Sequence, residues 1–145
     1  MSSGVAVSDD CVNKYNELKV GRQYKYIFYK ISEDFTVVEV EKTGSADATY
    51  DDFLADIKAI PKDDCRYAVF DFDFDTSDGG KRSKICFYVW APDTARIKKK
   101  MIYASSKDAL RKKLIGIGAE IQGTDISEVS AESVFDRVSR GPGNQ

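Results

Sequence analysis

Residues 67–114 read YAVFDFDFDTSDGGKRSKICFYVWAPDTARIKKKMIYASSKDALRKKL, and within this stretch the two-residue period of a strand gives way to the 3.6-residue period of a helix. Phe70, Phe72 and Phe74 alternate with Asp71, Asp73 and Asp75, the pattern of a strand with one face on a core and its charges in water. Lys84–Trp90 is a second apolar run, and the Gly79-Gly80 pair within Asp75–Lys81 marks a turn, so Tyr67–Phe74 and Lys84–Trp90 predict a hairpin. Pro92 and Asp93 then open the longest helix, to about Leu114. A hairpin followed by a long amphipathic helix belongs to the α/β class in the broad sense, a sheet covered by helices.

The flanking sequence repeats this alternation. Ser8 is placed to cap a first helix, with Asp9 and Asp10 in its first turn, Val12, Tyr15 and Leu18 as its apolar stripe, and Gly21 at its end. Tyr24–Ile31 and Phe35–Glu41, separated by Ser32-Glu33-Asp34, predict a second hairpin. Thr49 caps a short helix that turns Phe53, Leu54 and Ile57 inward and is stopped by Pro61. A strand near Ala119–Gln122 and a helix near Ala131–Val138 follow, before Gly141-Pro142-Gly143. Neither a repeat nor a linker divides the chain, so a single domain is expected, with its core over residues 5–140.

Composition bounds the function. The 145 residues are 42% hydrophobic with eight Tyr, eight Phe and a net charge of −2, which suits one folded core and argues against disorder. No run approaches the roughly 20 apolar residues of a membrane helix, and Met1–Ser8 lacks the basic start and apolar stretch of a signal peptide, so the cytoplasm is the expected setting. Cys11, Cys65 and Cys86 are odd in number and show no CxxC spacing; they read as small buried apolar residues. Histidine is absent, which removes the commonest general base, the Ser-His and Cys-His nucleophile pairs and the commonest metal ligand. There is no GxxxxGK[ST], and Gly116-Ile117-Gly118 lacks the third glycine of a dinucleotide fingerprint. Neither an enzyme nor a cofactor is expected. Read as a calcium loop from Asp71, the acidic run places Thr76 where the turn needs Gly and Arg82 where a bidentate Glu is needed. It reads as a strand.

The long helix carries the functional signal. On a helical wheel Ala95, Ile102, Tyr103, Ser106, Ala109, Leu110 and Leu114 form an inward arc, while Ile97, Met101 and Ala104 fall nearly opposite, flanked by Lys98, Lys100, Arg111 and Lys112. A second apolar stripe is not needed for folding. With an apolar centre and a basic rim it has the composition of a protein-binding ridge. Lys81–Lys113 also holds eleven of the 22 basic residues against two acids, Asp93 and Asp108, a local charge of +9 in a chain of −2. Such polarity suits an acidic protein surface first and anionic phosphoinositide headgroups second. Nucleic acid fits less well, because the pI is about 5.2 and no RNP, KH or zinc-finger signature interleaves the basic residues with stacking aromatics.

Several strings then resemble one family. Ser3-Gly4-Val5-Ala6-Val7, Gly80-Lys81-Arg82-Ser83-Lys84, Trp90-Ala91-Pro92-Asp93-Thr94-Ala95, the helix core Lys100-Met101-Ile102-Tyr103-Ala104-Ser105-Ser106-Lys107-Asp108-Ala109-Leu110, Gly123-Thr124-Asp125 and Asp136-Arg137-Val138-Ser139-Arg140 are similar, in order, to the ADF/cofilin actin-binding proteins. The resemblance implies the actin-depolymerising-factor homology fold, a mixed sheet of about five strands sandwiched between helices. It implies a monomeric protein that binds actin monomers and filaments, prefers ADP-actin and promotes severing and depolymerisation without catalysis. By matching position, Ser3, Gly4, Lys98, Lys100, Met101, Ile102, Lys107 and Asp108 are implied in the surface shared by monomer and filament, although the wheel turns Ile102 inward. Arg82, Lys84, Asp136, Arg137 and Arg140 are implied in the filament-specific surface, Asp136 standing where relatives often carry Glu. Ser3 is the implied regulatory phosphorylation site; the basic cluster itself suits inhibition by phosphoinositides, since the lysines that meet actin also fit headgroup phosphates. The lysine-rich insertion of vertebrate members and their pH-linked histidine are absent, so neither nuclear entry nor pH sensing is implied.

Overall fold

A computed structural model describes residues 4–139. In chain order it contains β1 (Ala6–Val7), α1 (Asp9–Lys19), β2 (Tyr24–Ile31), β3 (Val37–Ser45), α2 (Tyr50–Lys58), β4 (Arg66–Asp75), β5 (Lys81–Trp90), α3 (Ile97–Arg111), β6 (Ile117–Gly123), a 3₁₀ turn (Ile126–Val129) and α4 (Ala131–Ser139). The strands form one sheet in the order β1-β3-β2-β4-β5-β6. Its interior pairs are antiparallel, and β1 on β3 and β6 on β5 are parallel. The two expected hairpins are therefore β2–β3 and β4–β5, the second running from Arg66↔Trp90 to Asp75↔Lys81.

Because side chains alternate across a strand, the sheet has two cores. Ile27, Tyr29, Tyr67, Val69, Phe87 and Val89 meet Cys11, Tyr15 and Leu18 of α1 and Tyr103 and Leu110 of α3. On the other face Tyr26, Phe28, Ala68, Phe70, Cys86 and Tyr88 meet Phe53 and Ile57 of α2 and Val134 and Val138 of α4. Phe53 is fully buried, with ring centroids 4.9–5.2 Å from those of Tyr26, Phe28, Phe70 and Tyr88. Edge-on, tilted and stacked aromatic contacts of this kind add to the free energy of area burial. Gly44 is required where β3 passes this cluster, since a Cβ there would lie 2.3 Å from the Tyr26 ring. All three cysteines are buried and free, as their composition suggested.

The structure corrects several expectations. The described sheet has six strands, because β1 adds two residues at an edge. The long helix is shorter than its sequence pattern: 93–96 form a turn, helix begins at Ile97 and ends at Arg111. Ser8 occupies the N-cap of α1 without a side-chain capping bond; its hydroxyl lies 3.4 Å from the Cys11 thiol, and Cys11 takes the buried place expected of Val12. Phe35 lies in the β2–β3 turn and not in a strand. Asp73 and Asp75 are exposed as expected, but Asp71 is buried, because the interior strand β4 is covered on both faces at that level. Burial, then Asp73, push its carboxyl above the usual range, against the pull of Lys25 and Arg22.

Candidate protein interface

Helix α3 is attached to the sheet by its inner face. Tyr103, Ser106 and Leu110 are buried, the Tyr103 hydroxyl accepts the Ile31 N–H at 2.9 Å, and the Tyr103 carbonyl accepts from the Tyr67 hydroxyl. The opposite face is open. Ile97 and Met101 are 73% and 66% exposed, the two most exposed large apolar side chains of the helix, and Ala104 is exposed beside them. Ile102 is half-buried and packs against the core, so the wheel placed it correctly.

The N-terminus of α3 departs from ordinary helix chemistry. Its N-cap is Arg96, which makes no side-chain capping bond, and no acid lies in the first turn. Lys98, Lys99 and Lys100 instead follow the positive end of the helix dipole, an unfavourable placement. Acids from the preceding loop compensate part of it: Asp63 lies 3.5 Å from Arg96, and Asp64 lies 3.0 Å from Lys99 and 2.7 Å from Arg66, which also meets Glu41 at 2.8 Å. Burial would raise the Asp64 carboxyl, but the bonds from Arg66 and Lys99 outweigh it and hold the group below its usual range. Lys98 takes another partner. Its Nζ lies 5.0 Å from the ring centroid of Phe35.

Further along the helix, Lys107 and Arg111 lie 2.8 and 3.3 Å from Glu120 on β6, and Asp108 is exposed. Burial of Glu120 is outweighed by Lys107 and its carboxyl is lowered. Lys107 is thus paired within the chain, whereas Lys98 is exposed. Gly4 is exposed and leads into β1, which packs by α3; Ser3 lies outside the described residues.

The second set of candidates lies on the other side of the sheet. Arg82 and Lys84 share the strand face of Cys86 and Tyr88, which α2 and α4 cover. Lys84 Nζ donates to the Val138 carbonyl at 3.1 Å, near the C-terminal end of α4, where a cation also favours the helix dipole. Asp136 and Arg137 are exposed on α4; Arg140 falls outside the described residues. Between α4 and the β4–β5 hairpin the Phe135 ring, 43% exposed, meets Phe74 edge-on at 6.1 Å. Two basic surfaces therefore stand on opposite faces of one sheet.

Sequence reasoning missed Phe35 and Asp64 as neighbours of the basic helix. Turn chemistry in Ser32-Glu33-Asp34 marks the bend, but nothing in the local sequence points it at α3. For Asp64 the signal was weak: an acidic pair, Asp63-Asp64, ahead of a helix that has no acid in its first turn.

A helix-covered sheet presenting an apolar ridge with basic flanks has the form of a protein-binding domain. A family model for cofilin/tropomyosin-type actin-binding proteins matches residues 4–139. The chain is 55% identical over 140 residues to a cofilin of Mycosarcoma maydis, covering 97% of this chain and 98% of that one. It is 51% identical over 138 residues to actophorin of Acanthamoeba castellanii, covering 95% and 97%. The crystal structure of Streptomyces griseoflavus cofilin superposes with a TM-score of 0.86 at 50% identity, covering 95% of this chain and 99% of that one. The chain belongs to the ADF/cofilin family of non-enzymatic actin-binding proteins.

Proposed function

We propose that this protein binds actin monomers and filaments in the cytoplasm, prefers ADP-actin, and promotes severing and depolymerisation. The observation that carries the reading is the outward stripe of Ile97 and Met101 on α3, set among lysines at a helix N-terminus that has no capping side chain and no acid in its first turn. An acidic, partly apolar surface is the partner that satisfies both. Covering each of those two side chains contributes roughly 1.5–3 kcal/mol from area alone. A carboxylate near Lys98 and Lys100 gains further from the helix dipole. Gly4, Ile102, Lys107 and Asp108 extend this surface, with Lys107 held by Glu120 so that it acts as part of a pair.

Filament binding uses the second face as well, through Arg82, Lys84, Asp136, Arg137 and Arg140. A monomeric protein with surfaces on opposite sides of its sheet is suited to bridge two neighbouring subunits. If it fits them best at an angle the filament does not prefer, its differential affinity shifts the filament toward the strained state. Ser3 fits this scheme as a switch, since phosphorylation would add about −1.5 to −2 charges to a surface that meets an acidic partner.

Co-sedimentation with actin filaments, paired with a monomer titration, tests the reading. Saturable pelleting with a rise in unpelleted actin is expected. Arg82→Ala with Arg137→Ala should reduce filament binding at least tenfold more than monomer binding, and this pair avoids Lys84, whose loss also unties α4. Equal loss in both assays would reduce the two surfaces to one. The lysines of α3 also favour a second reading, a phosphoinositide-binding module. That reading requires pelleting with anionic vesicles and indifference to actin.

A further inference from the structure

The β2–β3 turn holds an aromatic residue in a conformation that L side chains avoid. Phe35 has φ +59°, and outside Asn, Asp and Gly such a residue is uncommon and strained. The turn is fixed from several sides. Phe35 N–H donates to the Ser32 carbonyl and Ser32 N–H to the Val37 carbonyl, each at 2.8 Å. Asp34 Oδ1 accepts from Ser32 Oγ at 2.6 Å and from Thr36 Oγ1 at 2.7 Å, and these bonds keep the Asp34 carboxyl below its usual range. On one side of the turn Ile31 is bonded to Tyr103 of α3. On the other, Ala6 N–H donates to the Thr36 carbonyl at 2.9 Å, bringing the strand after Gly4 alongside. The half-buried Phe35 ring packs against the α1/α3 core and lies beneath the Lys98 ammonium at 5.0 Å.

The ring's packing on the core accounts for an apolar side chain here, but the hairpin itself does not need a phenylalanine at this position. A β2–β3 turn closes with Gly or Asn at the left-handed position without strain, whereas the phenylalanine sets its aromatic face under Lys98, a lysine of the exposed basic rim. We infer that the β2–β3 turn is a third part of the actin-facing surface, with Phe35 as the positioning residue that fixes the Lys98 ammonium for an acidic site on actin. The inference rests on the shared-surface reading above. A lysine otherwise loses much rotamer freedom when it forms an ion pair. Confined beforehand over the ring, it has less to lose on binding.

The test is a double-mutant cycle between Phe35→Ala and Lys98→Ala, read as actin-monomer affinity, with Phe35→Tyr and Phe35→Gly alongside. Phe35→Ala is expected to weaken binding about two- to fivefold, the range of an exposed cation–π contact. In the Lys98→Ala background the same change should have little effect. Phe35→Tyr keeps the ring and should bind like the parent. Phe35→Gly removes the ring and the left-handed penalty together, so it should bind as weakly as Phe35→Ala while matching or exceeding its thermal midpoint. Loss of the ring should also abolish a ring-current shift at the Lys98 side-chain protons. If Lys98→Ala weakens binding but Phe35→Ala does not, or if the two losses simply add, the positioning role is overturned and the shared surface stands. If Lys98→Ala itself binds like the parent in the folded state, both fall.

Discussion

Helices α2 and α3 lie on opposite faces of the same sheet and follow opposite rules. α2 begins with a complete capping box between Thr49 and Asp52, carries Asp51 and Asp52 in its first turn and Lys58 in its last, and buries Phe53 and Ile57. Every local choice agrees with the fold. α3 begins at an arginine that makes no capping bond, places three lysines at the positive end of its dipole, and exposes Ile97 and Met101. Natural sequences depart from local consistency mainly where function requires it. The contrast separates a helix whose local signals all serve the fold from one that also carries a basic, apolar outer face the fold does not require.

Substitutions on the two helices should therefore fail in different assays. The largest effect belongs to α2: Phe53→Ala removes the hub of the aromatic core and should lower unfolding free energy by about 3–5 kcal/mol, measured by urea denaturation, with actin affinity retained in the fraction that stays folded. On α3, Lys98→Ala with Lys100→Ala should weaken monomer and filament binding by about tenfold or more, the scale of one or two charge-assisted contacts, and leave the thermal midpoint close to the parent's. A midpoint falling as far as for Phe53→Ala would make α3 a structural helix and end the contrast. Thr49→Ala should lower stability by about 1 kcal/mol without touching actin affinity.

Asp71, on the sheet between the helices, should give the smallest change. Its folded-state pKa is raised, with burial the main cause, so the charged form is favoured by the unfolded chain and the carboxylate lowers stability at neutral pH. Asp71→Asn should then raise the thermal midpoint slightly at pH 7. The gain should shrink as the pH falls and vanish below the unfolded value of about 3.9. Asp64 and Glu120 act in the opposite sense: their pKa values are lowered by ionic partners, so their stabilisation is present above the unfolded values and lost as the pH falls through the folded ones. A stability profile that Asp71→Asn leaves unchanged at every pH would mean that water reaches the carboxylate.

Much of this contrast was legible in the sequence. Thr49 as a helix cap, the outward stripe of Ile97, Met101 and Ala104, and β2 to its last residue all follow from short-range rules of period and capping. The failures share a different cause. β1 is two residues long and exists because β3 offers it an edge, so its own sequence carries no strand period. Asp71 continues an alternation that is correct for Asp73 and Asp75, but at its level both faces of β4 are covered, a fact of tertiary packing. The early start assigned to α3 came from Pro92 and Asp93, residues that suit a turn as well as a helix. Phe35 meets Lys98 from a distant part of the chain, and no local period encodes such a meeting.

The three cysteines have a practical corollary. Burial raises the thiols of Cys11, Cys65 and Cys86, to about 11 for Cys65 and about 12 for Cys86, so at neutral pH almost none of their sulfur is in the nucleophilic thiolate form. The thiols of the folded protein should be inert to maleimides. A single cysteine introduced at an exposed position such as Ser105 would then carry a fluorophore alone, and the native thiols would become reactive only on unfolding, making alkylation a clock for the opening of either core.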